Sequence, residues 1–238
     1  MDYNGIIMRQ FRLFCIFCLA LTLLAAGCQK KSRQPEDQKK AEKTIEYKGT
    51  IAAVGNSLTE GYGLDESQAY PALLEKKLRK NGHYYKVINA GISGETSSGT
   101  LSRIRWILNL KPDIVILETG ANDGLRGIDP ELTKRNILET VLILKENNVV
   151  VVLAGMKMIQ NMGQEYTKKF ASIYPDIAKQ HELVFFPFFL EDVAGSPLLN
   201  QADGIHPTAG GYEIIVEKIY PYVIKAVKTL KNHPHQKE

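Results

Sequence analysis

The chain has 238 residues and a net charge of +4, with 24% charged and 44% hydrophobic residues. This composition is ordinary for a soluble globular protein and argues against collagen, coiled coil and bulk disorder. The positive charge lies before residue 49, because residues 49–238 contain equal numbers of basic and acidic side chains. A neutral domain lacks the basic surface that nucleic-acid binding requires, so we predict no nucleic-acid partner.

All three cysteines, Cys15, Cys18 and Cys28, lie near the N-terminus. Residues 49–238 therefore cannot form a disulfide framework, a Cys-ligated zinc site or a cysteine hydrolase. They are numerous enough to bury one hydrophobic core without such cross-links. We predict that the protein uses no metal and no other cofactor.

The N-terminus has the pattern of an export signal. An apolar run from Leu13 to Ala26 follows two arginines. Its length matches the hydrophobic part of a signal peptide and is short for a membrane span. The run ends in small residues followed by Cys28, which resembles a bacterial lipobox, so we expect residues 1–27 to be a lipoprotein-type signal peptide and Cys28 to be lipidated. Ordinary signal peptidase cleavage, an uncleaved anchor and a start at Met8 remain open.

Residues 28–48 are rich in Lys, Glu, Gln and Asp and contain almost no apolar side chain. Such a segment cannot bury enough surface to become ordered, so we predict a flexible tether. A solvated helix over residues 37–46 is the alternative. The remaining chain divides into a domain of residues 49–232 and a polar tail of residues 233–238. We therefore predict an exported protein that is lipid-anchored to a bacterial membrane and faces the periplasm or the cell surface.

Strand-like and helical patterns alternate along the domain. Short apolar runs are each followed by a segment with apolar residues at helical spacing. This order predicts a parallel sheet that is covered by helices on both faces. The predicted strands are 50–54, 85–90, 114–117, 149–154 and 183–186. The predicted helices are 70–80, a segment marked by residues 101–108, 130–147, 165–180 and 208–231.

Four polar or glycine-rich segments follow the first four predicted strands: Asn56-Ser57, 91–96, 120–123 and 155–158. Open α/β sheets bind ligands at the carboxyl ends of their strands, so we expect these segments to meet in one place. The first two segments lack the pattern of a nucleotide-binding loop, which argues against phosphate binding. They also lack the G-x-S-x-G pattern of α/β-hydrolases.

Of the five histidines, His206 has the neighbours of a catalytic base. Asp203 lies three residues before it, and Pro207 favours an extended backbone at His206 and suits the first position of a helix. The carboxylate can accept a hydrogen bond from Nδ1 and leave Nε2 as a base. A helix-capping Asp beside an exposed His is the competing interpretation.

Four blocks together resemble the SGNH/GDSL hydrolases. The blocks are Gly55-Asn56-Ser57-Leu58, Gly91 within Asn-Ala-Gly-Ile-Ser-Gly, Gly120-Ala121-Asn122-Asp123, and Asp203-Gly204-Ile205-His206-Pro207. Their order and spacing agree over residues 50–230, and further stretches are similar to bacterial acyl-CoA thioesterase, lysophospholipase and arylesterase enzymes. Asn56 departs from the usual Asp, which we expect to tune activity and not to abolish it. The resemblance implies a flavodoxin-like, three-layer α/β/α fold with a mostly five-stranded parallel sheet.

The resemblance also implies a role for each matching residue. Ser57 would be the nucleophile, with the N-terminus of the following helix helping to stabilise negative charge. His206 would take its proton and pass it to the leaving group, while Asp203 orients His206. The N–H groups of Ser57 and Gly91 and the side-chain amide of Asn122 would form the oxyanion hole.

Some polar residues near these blocks are expected to be structural. Asp123 would be out of place in an oxyanion hole, because a carboxylate repels the charge that develops there. Ser93 and Ser97 are expected to order their loop. Met156, Met158 and Met162 follow the fourth strand and would line an acyl pocket, because methionine adapts to apolar groups of different length. The alternative is that these methionines fill the core beneath the loop.

We therefore predict a metal-independent serine ester hydrolase that cleaves carboxylic esters or thioesters through an acyl-serine. Its substrate would be a small acyl ester, a thioester or a lysophospholipid, and no obligate protein partner is implied. A carbohydrate O-deacetylase of the same family is the alternative enzyme. A non-catalytic binding module on the same scaffold is the alternative of another class.

Overall fold

The computed structural model describes residues 45–158 and 162–232, and five parallel strands form its centre. The strands are β1 (Gly49–Gly55), β2 (Tyr85–Gly91), β3 (Ile114–Glu118), β4 (Val150–Ala154) and β5 (Val184–Phe186). Their order across the sheet is β2-β1-β3-β4-β5. This is the flavodoxin-like order, in which the chain reverses its direction of winding between β1 and β3.

Seven α-helices connect or follow the strands. They are α1 (Ser57–Glu60), α2 (Tyr70–Lys80), α3 (Ser97–Ile107), α4 (Ala121–Leu125), α5 (Pro130–Glu146), α6 (Gln164–Gln180) and α7 (Ala209–Asn232). Helix α2 packs against α7, whereas α3 packs against α5 and α5 against α6. A helical layer therefore covers each face of the sheet, and the predicted α/β class, parallel sheet and layers are confirmed.

The central strands form the core because every residue of β3 and most residues of β1 and β4 are buried. Burial on both faces explains why these strands are continuous apolar runs and do not alternate with polar residues. The register pairs Gly55 at the end of β1 with Gly91 at the end of β2. Glu118 is the polar exception, since it ends β3 with no exposed surface.

Helix α3 begins four residues before the apolar pattern that predicted it. The side-chain hydroxyl of Thr96 accepts a hydrogen bond from the Gly99 N–H, which satisfies one of the free donors at the start of the helix. The bounds of the short helices α1 and α4 were not predicted, because a single turn contains too few residues to show helical periodicity. Both lie at the carboxyl edge of the sheet.

Several predictions fall on residues outside the described ranges. These are the signal peptide of residues 1–27, the lipidation of Cys28, the tether up to residue 44 and the polar tail of residues 233–238. The described residues belong to a compact unit that begins at Ile45. Within residues 45–158 and 162–232, no helix is long and apolar enough to cross a bilayer.

Candidate active site

Ser57 stands on a sharp turn between β1 and α1. The side chain of Asn56 caps α1, since its Oδ1 accepts the Leu58 N–H at 2.9 Å. Ser57 is the first residue of α1 and retains only 9% exposure. The helix is a single turn, so its dipole is much smaller than the one expected from the sequence. Negative charge at Ser57 must therefore be stabilised by individual N–H groups and not by the helix dipole.

A continuous chain of hydrogen bonds joins Ser57, His206 and Asp203. His206 Nε2 lies 2.9 Å from Ser57 Oγ, and His206 Nδ1 lies 2.7 Å from Asp203 Oδ2. With the Nδ1 proton held by the carboxylate, Nε2 is free to accept the proton of the Ser57 hydroxyl. The arrangement can therefore turn a weakly nucleophilic alcohol into a strong nucleophile.

Asp203 is a charged acceptor with three donors around it. The His206 N–H, the His206 ring and the Ile205 N–H all donate to it, and in that order they lower the pKa of the carboxyl to about 2. Asp203 therefore remains ionised throughout the neutral range. Its negative charge favours the imidazolium that forms when His206 takes a proton.

Tyr62 and Gln201 hold the His206 loop against the end of α1. The Tyr62 ring lies 4.6 Å from the His206 ring, centroid to centroid. The Gln201 N–H donates to the His206 carbonyl at 2.7 Å, and its Nε2 donates to the Tyr62 carbonyl at 2.7 Å. These contacts fix the position of an imidazole whose own loop is exposed to solvent.

Asn122 lies in the first turn of α4, which follows β3 at the carboxyl edge of the sheet. Its Nδ2 donates to the Glu95 carbonyl at 2.9 Å, which leaves its second N–H available.

The adjacent Asp123 is fully buried and accepts hydrogen bonds from the backbone and hydroxyl of Ser97 and from Thr133. These contacts match the structural roles expected for Asp123 and Ser97. Ser93 is exposed, and its hydroxyl contacts the carboxylate of Glu60.

The glycine expected in the oxyanion hole is otherwise engaged. The Gly91 N–H donates to Asn89 Oδ1 at 3.0 Å, so an oxyanion would have to displace that side chain. Gly94 lies in a turn that the Glu95 N–H closes onto the Ile92 carbonyl, with the positive φ (76°) typical of the third position of a type II turn. Its N–H donates to no described residue, and its neighbour Glu95 contacts Asn122. The geometry therefore favours Gly94 as the donor.

The three methionines occupy different environments. Met156 is 3% exposed and belongs to the hydrophobic core, which corresponds to the core-filling alternative. Met158 is half-buried and lies directly against Gly124 of α4. The end of the Met162 side chain lies close to Gly127, just beyond the same helix. Met158 and Met162 therefore lie against the segment that begins with Asn122.

Two of the clefts among the described residues lie at opposite ends of the strands. One, of about 380 Å³, is lined by residues 60–64, Glu66, Asn89 and Gly91, and it borders the Tyr62 ring that contacts His206. The other, of about 340 Å³, lies at the amino ends of β4 and β5, away from Ser57. Among residues 45–158 and 162–232, no group of three His, Cys, Asp or Glu side chains is arranged to hold a metal ion.

Three residues of this region were not singled out from the sequence: Tyr62, Gly94 and Glu118. Tyr62 and Glu118 carry no motif signal, because the contact of Tyr62 with His206 and the hydrogen bond from Asn56 Nδ2 to Glu118 Oε1 at 2.7 Å form only in the folded chain. Gly94 carried a usable signal, since Ile-Ser-Gly-Glu is a typical sequence for a type II turn with glycine at its third position.

Comparison with known proteins agrees with this geometry. Residues 53–214 match the model of the GDSL-like Lipase/Acylhydrolase family. The chain is 39% identical over 173 residues to Esterase TesA of Pseudomonas aeruginosa, a match that covers 72% of this chain and 86% of that protein. It is 35% identical over 185 residues to Thioesterase 1/protease 1/lysophospholipase L1 of Escherichia coli K12, covering 77% and 86%.

Among solved structures, the fold is similar to that of the psychrotrophic esterase EstA from Pseudoalteromonas sp., described as inhibited by monoethylphosphonate. The TM-score is 0.72 at 32% sequence identity, and the match covers 76% of this chain and 99% of that structure. The family match includes all four blocks, since they lie within residues 53–214.

Proposed function

Because this chain belongs to the GDSL-like lipase/acylhydrolase family and is a serine ester hydrolase, we propose that Ser57 forms the acyl-enzyme. The observation that carries this assignment is the hydrogen-bonded series Ser57 Oγ, His206 Nε2, His206 Nδ1 and Asp203 Oδ2, with distances of 2.9 Å and 2.7 Å. This order places a base on the nucleophile and a carboxylate on the base, as acyl transfer requires.

Acylation begins when His206 accepts the Ser57 proton as Oγ attacks the ester or thioester carbonyl carbon. The carbonyl oxygen becomes negative in the tetrahedral intermediate, while Asp203 stabilises the imidazolium. Collapse of this intermediate breaks the bond to the leaving group, and the imidazolium returns the proton to the departing alcohol or thiol. The acyl group remains on Ser57.

Deacylation repeats these steps with water as the nucleophile. His206 removes a proton from water, the resulting hydroxide attacks the acyl-serine, and the proton returns to Ser57 Oγ as the carboxylic acid leaves. No step requires a metal or a redox cofactor, so we expect chelators to leave the activity unchanged.

The oxyanion is stabilised by three donors in this proposal: the Ser57 N–H, the Gly94 N–H and the free N–H of Asn122 Nδ2. Neither backbone N–H donates to another described residue, so binding an oxyanion breaks no existing hydrogen bond. Preorganised donors of this kind are the largest single contribution to many acyl-transfer reactions. Gly94 thus replaces Gly91 in the hole.

Hydrolysis of p-nitrophenyl butyrate tests the assignment of the nucleophile. We expect Ser57→Ala to lose all activity above background, whereas Ser93→Ala, which alters the other serine of the same edge, retains wild-type kcat. Circular dichroism verifies that both variants are folded. Residual activity in Ser57→Ala that disappears in a Ser57→Ala/Ser93→Ala variant would move the nucleophile to Ser93.

The acyl pocket is proposed to accept medium-length chains as well as acetyl. Met158 lies against Gly124 and the end of Met162 lies near Gly127, so both are close to the segment that follows Asn122, and we infer that an acyl chain attached to Ser57 extends toward them. Each substrate methylene buried there contributes up to about 0.8 kcal/mol. Specificity constants should rise from acetyl to roughly hexanoyl or octanoyl esters and should fall again in Met158→Ala/Met162→Ala. The core substitution Met156→Ala is the control, because it should lower stability without changing this preference.

A sharp optimum at acetyl, together with faster release of acetate from acetylated sugars, would contradict the medium-chain proposal. That result would favour the carbohydrate deacetylase.

Cys28 is proposed to carry a lipid that holds the enzyme on a bacterial membrane. The support is the apolar run followed by small residues and Cys28, with a polar segment after it. In a Gram-negative host, Cys28→Ser should shift the protein from the processed form in the membrane pellet to an unprocessed precursor. Wild-type protein found wholly soluble in the periplasm would exclude lipidation.

A further inference from the structure

Glu118 is a fully buried carboxylate that the mechanism above does not use. It ends β3, the strand that pairs with β1 along the centre of the sheet. Charged side chains are rarely buried without partners, since burial removes their hydration. No described cation forms an ion pair with it, so its charge depends on hydrogen-bond donors alone.

Those donors all come from the turn that carries Ser57. Asn56 Nδ2 donates to Oε1 at 2.7 Å, while the Asn56 N–H and the Thr59 hydroxyl donate to Oε2 at 3.2 Å and 2.9 Å. Ser57 lies between these two partners in the sequence. The carboxylate therefore binds the turn on both sides of the serine.

Two features make this contact specific. Asn56 uses its two side-chain atoms for different purposes, since Nδ2 binds Glu118 while Oδ1 caps α1 at the Leu58 N–H. Gly55 permits the approach, because a Cβ at that position would stand 2.5 Å from Glu118 Oε2. A displacement of Glu118 would thus move the cap and the first residue of the helix together.

The surroundings of Glu118 disfavour its ionised form. Burial raises the pKa of Glu118 to about 7, against the opposing effect of the hydrogen bonds from Thr59 and Asn56. The nearby acid Glu95 adds repulsion, although Glu95 itself is paired with Arg103. The other titratable groups that interact with Glu118 are Tyr70, Tyr174 and Tyr212. The position between Asn56 and Thr59 that Glu118 occupies therefore carries at most one negative charge at neutral pH.

We propose that Glu118 is a positioning residue for catalysis, which holds Ser57 in line with His206 by binding Asn56 and Thr59. This inference rests on the proposed role of Ser57. It requires one acceptor and one donor between positions 56 and 118, and it requires a single negative charge between them. Either position can supply the acceptor, provided that the other supplies the donor.

Reversing the polarity of the pair tests the proposal. In Glu118→Gln, the amide has one NH2 group and one oxygen. In one orientation the NH2 group faces Asn56 Nδ2, and in the other it faces the Asn56 N–H and the Thr59 hydroxyl. A donor therefore faces a donor in both orientations. We expect kcat for p-nitrophenyl butyrate to fall about tenfold or more, with little change in KM. In the double variant Asn56→Asp/Glu118→Gln, the carboxylate introduced at position 56 can accept from the amide N–H introduced at position 118. The amide oxygen at position 118 still accepts from the backbone and Thr59, so we expect kcat to return to within about threefold of the wild type.

The single variant Asn56→Asp gives an independent readout through pH. Two carboxyl groups then face each other and must share a proton, because both cannot be charged in a buried site. We expect activity at neutral pH and a new loss of kcat as the pH rises and the shared proton leaves. Wild type and the double variant should lack this loss of kcat at high pH. A purely structural role of Glu118 would not produce such a loss in Asn56→Asp. This variant decides the question even if Glu118→Gln fails to fold.

Asp113→Asn is the matched control. Asp113 directly precedes the same strand, is also buried, and accepts the Thr50 N–H at 2.7 Å, but it lies at the opposite end of β3. The same change of carboxylate to amide should lower stability there and leave kcat unchanged. If Asp113→Asn lowers kcat as much as Glu118→Gln does, or if the double variant gives no recovery, Glu118 does not position Ser57.

Labelling of Ser57 by a fluorophosphonate separates this proposal from the proposed function. Wild-type protein that is not labelled at Ser57 would overturn the nucleophile itself and Glu118's role with it. Wild-type labelling with equally fast labelling of Glu118→Gln would leave the nucleophile in place and overturn only the positioning role. We expect fast labelling in wild type, slow labelling in Glu118→Gln and restored labelling in the double variant.

Discussion

Ser57 and His206 lie 2.9 Å apart, yet their supports differ in almost every physical respect. The serine turn, residues 55–59, is buried throughout and is bound from behind by Glu118. The histidine loop, residues 200–207, is largely exposed between its two ends and is held by hydrogen bonds of its own backbone and by Gln201. Ser57 is therefore fixed by the core, whereas His206 is fixed by a short, largely exposed loop.

The two carboxylates of these supports show the same contrast. Burial raises the pKa of Glu118 to about 7, whereas hydrogen bonds from His206 and Ile205 lower the pKa of Asp203 to about 2. A carboxylate that must support an imidazolium has to stay charged, so it lies near solvent with several donors. A carboxylate that only fixes geometry can lie in the core, where its charge is costly.

The largest expected effect comes from removing the charge of the histidine loop. Asp203→Asn should lower kcat/KM by roughly 10⁴-fold, because the amide no longer selects the tautomer of His206 or stabilises its charged form. Steady-state hydrolysis of p-nitrophenyl esters measures this loss. Asp192→Asn is the control, since Asp192 is an exposed surface aspartate that pairs with Lys218. Comparable losses in both variants would remove Asp203 from the catalytic series.

The next effect concerns Asn122, the proposed side-chain donor of the oxyanion hole. Asn122→Ala should lower kcat by roughly 10²–10³-fold, the usual loss for one donor of an oxyanion hole. Folding should survive, because Asn122 is half-buried and makes one hydrogen bond to a loop carbonyl. Thermal unfolding combined with kcat measures both properties. A loss below about threefold would take Asn122 out of the hole.

The buried support should also appear in the pH dependence of stability. The folded pKa of Glu118 lies above its usual value of 4.5, so the folded state binds its proton more tightly than the unfolded state does. Its contribution is complete below about pH 4.5 and is lost as the pH rises through about 7. The shift corresponds to at most about 3 kcal/mol.

Urea unfolding at pH 5 and pH 8 measures that contribution. The free energy of unfolding of the wild type should fall more between these two values than that of Glu118→Gln, which has no group to titrate at this position. Identical pH dependence in the two proteins would show that Glu118 does not titrate in this range.

A smaller effect is expected at Tyr62, which lies just beyond the serine turn and contacts the histidine loop. The Tyr62 ring is half exposed and contacts the His206 ring at 4.6 Å. An aromatic contact of this kind contributes about 0.5–1.5 kcal/mol, so Tyr62→Ala should lower kcat roughly two- to tenfold. Tyr62→Phe retains the ring and should match the wild type. Loss of activity in Tyr62→Phe would instead assign the effect to the hydroxyl.

The same contrast explains what could be predicted from the sequence. The central strands and the long helices follow from apolar periodicity, and Ser57, Asn122 and His206 follow from motifs at the ends of those elements. The brief helix α1 has no periodicity to detect. Engagement of the Gly91 N–H by Asn89, which favours Gly94 in its place, depends on a side-chain rotamer that no sequence pattern encodes.

Glu118 shows the limit most clearly. In the sequence it is the polar residue after an apolar strand, with no relation to a serine 61 positions earlier. Pairing of β1 with β3 brings the two strand ends together, and only then do Asn56 and Thr59 become its donors. Motifs therefore predicted the residues that we propose react, whereas the contacts of Glu118 with Asn56 and Thr59 could be recognised only in the folded chain.

Mapping a fluorophosphonate adduct by mass spectrometry shows whether Ser57 is the nucleophile and His206 its base. We expect one adduct, on the peptide that contains Ser57. The adduct should be absent from Ser57→Ala and strongly slowed in His206→Asn. An adduct on Ser93, or labelling of His206→Asn at the wild-type rate, would contradict it.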